Sequence, residues 1–309
     1  MSEGITVTFH GVRGSYPCPD PRLMRVGGNT ACVEVRAGGH LIVLDAGTGI
    51  INLGKKLMQE SAAGNNGASP TPLIINLFFT HTHHDHTQGF PFFLPAYRGT
   101  STLYIFGPRM LQEDLREALS RAMVSPAFPV DLDDLHSRRV VHTVDETEMI
   151  VLQPNQHQPE VRNIYRDNPD LPADAVKVSF FKSYAHPKDG ANIYRIEWRD
   201  KSMVLATDTE SYVGGDSRLI AFAKDTDLLI HDAQFTHEEY IGFPVPKQGW
   251  GHSTPEMAIA VAKAANARRL ALYHHDPNHD DDMLDAIGRE AKAQFPKAFV
   301  ASEGLSVEL

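Results

Sequence analysis

The chain has 309 residues, 42% hydrophobic and 22% charged, enough apolar material for one large α/β domain spanning residues 1–309. Its 29 basic against 39 acidic residues give a formal charge of −10, so the surface as a whole repels polyanions and a large nucleic-acid partner is not expected. Cys18 and Cys32 form no CxxC and read as free thiols of a reducing compartment, with a single bridge between them as the alternative; the start Met1 to Val7 lacks a basic then apolar leader, and no membrane-spanning run occurs, so a soluble, cytoplasmic protein is expected.

Short strand-like runs separated by Gly and Pro fill the first third: Ile5 to His10, Thr30 to Arg36 and Leu41 to Asp45, with Gly38-Gly39 predicting a hairpin turn. The stretch Gly27-Gly28-Asn29-Thr30 reads as a turn entering a strand, with an anion-binding backbone as the alternative. The apolar run Leu73 to Phe79 predicts a buried strand, and directly after it stand His81, His83, Asp85 and His86. Imidazole nitrogen and carboxylate oxygen are the ligands that zinc takes, and so many donors packed so tightly face two adjacent cavities, the layout of a two-metal hydrolase site. His84, between them, points away on an extended chain.

Phe90, Phe92 and Phe93 follow, as a seal behind the metal loop or as a stacking surface for a nucleobase. A strand over Thr102 to Phe106 leads to a helix from about Leu111, with Leu111, Leu115, Ala118, Leu119 and Ala122 at helical spacing. The polar segment Asn155 to Ala175 contains Pro159, Pro169 and Pro172 without periodicity and predicts a surface loop insertion, a candidate lid or partner contact.

The second half repeats a theme of strand followed by ligand. Val176 to Ser183 leads to His186, Met203 to Ala206 to Asp208, Leu228 to Ile230 to His231, and Leu270 to Tyr273 to His274 or His275, the strand end favouring His274. A sheet gathers a site at one edge in this way. Ser253-Thr254-Pro255-Glu256 predicts a capping box, with Met257, Ala260, Val261 and Ala264 as the helix stripe and His252 one residue before the cap. His142, His157 and His237 have no motif around them.

The run His81 to His86 matches the His-x-His-x-Asp-His signature, and the chain resembles the metallo-β-lactamase superfamily over most of its length. Leu44-Asp45-Ala46-Gly47-Thr48-Gly49 is similar to that family's first motif, with His186, Asp208 and His274 at its third, fourth and fifth. The resemblance implies an αββα sandwich with the site at one edge of two sheets. It also implies two Zn2+ ions, with Mn2+ or Fe2+ as alternatives: His81, His83 and His186 on one ion, Asp85, His86 and His274 on the other, Asp208 bridging, and a metal-bridging hydroxide as nucleophile. Asp45 is implied to be structural.

Leu229 to Phe235 and Gly251-His252-Ser253-Thr254 are similar to motifs of the branch that contains tRNase Z and cyclic-phosphate phosphodiesterases. That branch implies His252 as general acid supported by Asp232, so His252, Asp85 and Asp232 are the candidate catalytic residues. His83 stands where redox members of the fold have Glu, and Asp208 supplies the aspartate that true β-lactamases lack. The short interval from His186 to Asp208 leaves no room for the long Gly/Pro-rich arm of tRNA-processing members. The expected substrate is therefore a small phosphodiester such as a cyclic nucleotide or cyclic phosphate. The alternatives are tRNA 3′ processing, lactone or thioester hydrolysis, and a catalytically silent nucleotide-binding protein. Dimers are common in this branch, and the 155–175 loop is placed to reach a partner's site.

Overall fold

The computed structural model describes residues 4–63, 71–111, 113–167, 170–211 and 214–309. Met1 to Glu3, and Asn168 and Pro169 of the predicted insertion, lie outside them.

Alternating apolar runs make two sheets that bury their facing sides against each other. The first holds β1 (Thr6–Gly11), β2 (Cys32–Ala37), β3 (His40–Leu44), β4 (Leu73–Phe78), β5 (Ser101–Pro108) and β6 (Arg138–Val144). The second holds β7 (Glu148–Leu152), β8 (Glu160–Asn163), β9 (Val176–Ser183), β10 (Ala191–Trp198), β11 (Lys201–Ala206), β12 (Leu228–Asp232), β13 (Leu270–Tyr273) and β14 (Ala298–Val300). The chain then returns to the first sheet as β15 (Ser306–Glu308), giving the orders β15-β1-β2-β3-β4-β5-β6 and β14-β13-β12-β11-β10-β9-β7-β8. Gly38 and Gly39 make the β2–β3 turn with positive φ at both, the backbone region in which glycine costs least.

The helices are α1 (Gly49–Ala63), α2 (His84–Thr87), α3 (Leu115–Arg121), α4 (Ser217–Phe222), α5 (His237–Ile241), α6 (Pro255–Ala264) and α7 (Asp281–Gln294). The period of two along each strand decides the layering. Phe9, Val33, Leu44 and Phe78 of the first sheet meet Val178, Tyr194, Leu205, Ile230 and Tyr273 of the second. On the outer side of the first sheet, Val43, Ile75, Leu77 and Ile105 pack on Ile50, Leu53 and Leu57 of α1 and Leu115 and Leu119 of α3. Outside the second, Val204, Leu229, Leu270 and Leu272 pack on Leu219 of α4, Ala258, Ile259 and Ala262 of α6, and Ala291 of α7. The result is the expected αββα sandwich.

Three local expectations need correction. The helix predicted from Leu111 starts at Leu115 because Asp114 caps it, accepting from Glu117 N, and Leu111 is left exposed. The segment 155–175 is not all loop: Glu160 to Asn163 form β8, paired antiparallel with β7 at the edge of the second sheet. Its polarity is that of an edge strand facing water. No capping box forms before α6: Thr254, not Ser253, is the N-cap, its hydroxyl accepting from Met257 N. Ser253 is used elsewhere, and His252 stands two residues before the cap.

Candidate metal centre

The site lies where β4, β9, β11, β12 and β13 end. After β4 a short non-helical stretch carries His81 and His83 and then turns into α2, so Asp85 and His86 come from a helical turn while the two earlier histidines come from the segment before it. That change of period splits the cluster between two directions. Donor atoms of His81, His83 and His186 converge within 4.8 Å of one another, and those of Asp85, His86, Asp208 and His274 do the same.

Asp208 stands between the sets. Its Oδ1 lies 3.7 Å from His81 Nε2 and 3.7 Å from His186 Nε2, while Oδ2 lies 3.1 Å from His86 Nε2 and 3.3 Å from His274 Nε2. A carboxylate with one oxygen toward each set is placed to bridge two cations. The backbone makes this possible at some cost: Asp45, Asp208 and His274, each at the end of a strand, have φ of 63°, 53° and 62°.

The far side of nearly every ring is engaged, which fixes its direction. Nδ1 of His86 donates to Asp45 Oδ2 at 2.8 Å, Nδ1 of His186 to Gly251 O at 3.1 Å, and Nδ1 of His274 to Gln234 Oε1 at 3.0 Å. Nδ1 of His81 meets Thr80 Oγ1 at 3.1 Å, and that hydroxyl in turn donates to Asp45. Asp45 is thus a support and not a donor to the centre. His83 is oriented the other way, with Nδ1 3.0 Å from His186 Nε2.

Burial keeps His81, His83 and His186 below the ordinary imidazole pKa, which favours the neutral, ligating form. Burial opposes charge on His86 and His274 too, but Asp208 and Asp85 override it, raising His86 well above the usual range and His274 to about 9. Asp85 and Asp208, which burial alone would raise, are held well below the carboxylate range by these same rings.

The residues present fit a bound divalent metal. The donor set mixes imidazole and carboxylate, the chemistry of zinc and related ions. His81 Nε2 is buried without a hydrogen-bond partner and faces Asp208. Two pairs of ring nitrogens, His83 with His186 and His86 with His274, point at each other at 3.0 and 3.4 Å, a placement that a shared cation relieves.

Beside this centre Asp232, fully buried, accepts from His252 Nδ1 at 2.8 Å, from Asp208 N at 3.1 Å and from Ser253 N at 2.9 Å. The His252 ring stacks on His274 with centroids 5.0 Å apart and 13° between planes, and one of its nitrogens lies within 4.8 Å of donors of His186 and Asp208. His231, next to Asp232 on β12, is placed by alternation on the opposite face and bonds only its neighbour's carbonyl. His275 likewise turns from the centre, with Nε2 on Ala301 O, so of the two histidines it is His274 that joins it.

His84, His157 and His237 are exposed, and His142 pairs with Glu148. Phe90 and Phe93 are core residues, while Phe92 is half exposed against Phe128. In the Gly27 to Thr30 turn the amides of Asn29 and Thr30 are used by Glu303 and Thr48, so the turn is structural.

Several contributors are not visible as motifs. Ser15 N donates to Asp85 Oδ2 at 2.7 Å, and a Cβ on Gly14 would lie 2.4 Å from the His274 ring, so the loop after β1 forms a wall of the site. The only sequence signal is the glycine beside a strand end.

The β-lactamase superfamily domain model matches residues 40–275, a span that includes every donor named above. The chain belongs to the β-lactamase superfamily. Like the family's hydrolases it is a metal-dependent hydrolase, and it lies near the tRNase Z branch. It is 25% identical to Ribonuclease Z of Thermoplasma acidophilum, an alignment covering 100% of this chain and 98% of the relative. Among solved structures, human tRNase Z, short form, is similar with a TM-score of 0.61 at 21% identity, covering 98% of each chain. Zn(2+)-bound PqqB from Methylobacterium extorquens has a TM-score of 0.65 at 18% identity, covering 98% of this chain and 100% of that one.

The end-to-end match to a ribonuclease corrects the expectation of a small substrate and of no large nucleic-acid partner. A whole-chain charge of −10 does not report the potential at any one face of the molecule, so it does not exclude such a partner. Nor did the short His186–Asp208 interval exclude the ribonuclease relatives: it holds only the β10–β11 hairpin, yet the alignment with the Thermoplasma acidophilum enzyme covers 98% of that relative. No helix among the described residues is long and apolar enough to cross a membrane.

Proposed function

We propose that this superfamily member is a metal-dependent phosphodiesterase that cleaves RNA endonucleolytically, with a tRNA precursor as the substrate class. The observation that carries it is the His252–Asp232 pair set against the Asp208-centred donor cluster, in a chain that aligns throughout with Ribonuclease Z.

His81, His83, Asp208 and His186 would hold one ion and Asp85, His86, Asp208 and His274 a second, with zinc the best fit to this donor chemistry. Bound there, the metals would supply Lewis acidity toward the phosphate oxygens and would lower the pKa of a water. The chain's own residues do the rest. Asp232 fixes the His252 ring through Nδ1, so the opposite nitrogen is free to carry a proton to the departing ribose oxygen. An alkoxide leaving from phosphorus needs that proton. Ser15 N and His274 hold the Asp85 carboxylate in place, and Asp45 with Thr80 holds His86 and His81.

The test is a tRNA transcript with a 3′ trailer, incubated with metal-stripped and metal-reloaded protein. Endonucleolytic cleavage in the reloaded sample only, reduced about 100-fold or more by His252→Ala, is the expected result. Intact RNA of every class tried, with the metal content verified, would overturn the proposal.

A further inference from the structure

Trp250 stands two residues before His252, is 48% exposed, and carries the Lys247 ammonium 3.8 Å from its ring centroid. Phe235, buried, meets Trp250 edge-on at 6.3 Å and His252 edge-on at 5.8 Å. The three rings form a continuous wall from solvent to the proton donor. Phe235 and Lys247 are the recorded ring partners of the indole, and about half of its surface remains open to solvent.

This loop is held firmly. Glu210, two residues beyond Asp208, accepts the amides of Gly249 and Gly251 at 2.9 Å and the Tyr240 hydroxyl at 2.6 Å. Gly251 has φ of 87°, and a Cβ there would lie 2.4 Å from His186 Nδ1, whose proton its carbonyl accepts. One short segment therefore orients a candidate metal ligand and presents a flat aromatic face beside His252.

We propose that Trp250 and Lys247 form the subsite for the leaving-side nucleoside, the base stacking on the indole and the ammonium pairing with the adjoining phosphate. The inference rests on the phosphodiesterase reading. If His252 delivers its proton to the departing ribose oxygen, the departing nucleoside lies on the His252 side, where Trp250 is an exposed ring joined to His252 through Phe235. Stacking of this kind accepts any base, because every base has a π-face. The flexible Lys247 stem lets the ammonium leave the ring for a phosphate.

Two measurements test it. Trp198, the other of the two tryptophans, is buried on β10, so Trp198→Phe leaves Trp250 as the emitter. Adenosine monophosphate should quench that emission saturably and ribose 5-phosphate should not. Trp250→Ala should raise KM about 10- to 100-fold on an oligoribonucleotide with a leaving-side base, and change it within about twofold when that position is abasic. An equal loss on both RNAs, which would mark a purely structural role through Gly251 and His186, or no quenching by the nucleotide, overturns the subsite. If metal-loaded wild type cuts neither RNA, the phosphodiesterase reading fails with the leaving-side assignment, and the quench alone decides whether Trp250 binds a base.

Discussion

Asp232 accepts the Nδ1 proton of His252 at 2.8 Å, and the same oxygen receives the Asp208 amide at 3.1 Å. The His252 ring, the proposed proton donor, and the backbone of the central carboxylate are thereby held by a single side chain. Asp232→Asn should lower kcat for RNA cleavage by about 100-fold or more with KM little changed, since the pair acts on the leaving group and not on binding. Added imidazole should partly restore His252→Ala, which a folding defect would not allow.

The division of Asp208 between two donor sets gives a stoichiometric prediction. Asp208→Ala should lower metal content below that of His83→Ala, because His83 belongs to one set and Asp208 faces both. Elemental analysis after exhaustive dialysis decides it, and equal metal in the two variants counts against the bridging assignment.

Among the described residues the Asp45 carboxylate hydrogen-bonds only His86 and Thr80, yet it directs the His86 ring itself and the His81 ring through Thr80. Asp45→Asn should weaken metal affinity by about 10- to 100-fold while leaving the donor count intact. A competition titration against a chromophoric chelator measures this.

Glu34 offers a test of stability outside the site. Burial alone would raise it, but His10, Arg36 and Lys56 hold it at about 2. A carboxyl depressed on folding contributes stability above its unfolded pKa, and loses it as pH falls from about 4.5 toward 2. Glu34→Gln should therefore be destabilised by about 2 kcal/mol near neutral pH, a figure already reduced for the half-exposed Arg36 and Lys56, with the gap to wild type closing in acid. Thermal midpoints measured from pH 7 to pH 3 would show a constant gap if the cluster were inert.

The strand ends were legible because a strand needs an apolar run and a metal needs a donor, and both leave residues that can be read. His81 to His86, His186, Asp208 and His274 all stand directly after such runs, and the structure brings them together. The Ser15 amide and the Gly251 carbonyl were not legible, since any residue has a backbone and only the fold brings these near Asp85 and His186. β8 was hidden by its edge position, where polar residues serve a strand as well as a loop. The choice between Ser253 and Thr254 as cap depended on Asp232 and Thr209 engaging the serine first. Net charge has no location, so it could not exclude a large substrate.

The left-handed backbone at Asp45, Asp208 and His274 makes the centre a property of hooks in the main chain as much as of side chains. A transplanted His-x-His-x-Asp-His segment would bring the chemical groups without the three bends that aim their partners. Anyone building this site into another scaffold must copy the bends first, and accept there the residues that a stability-driven redesign would replace with glycine or asparagine.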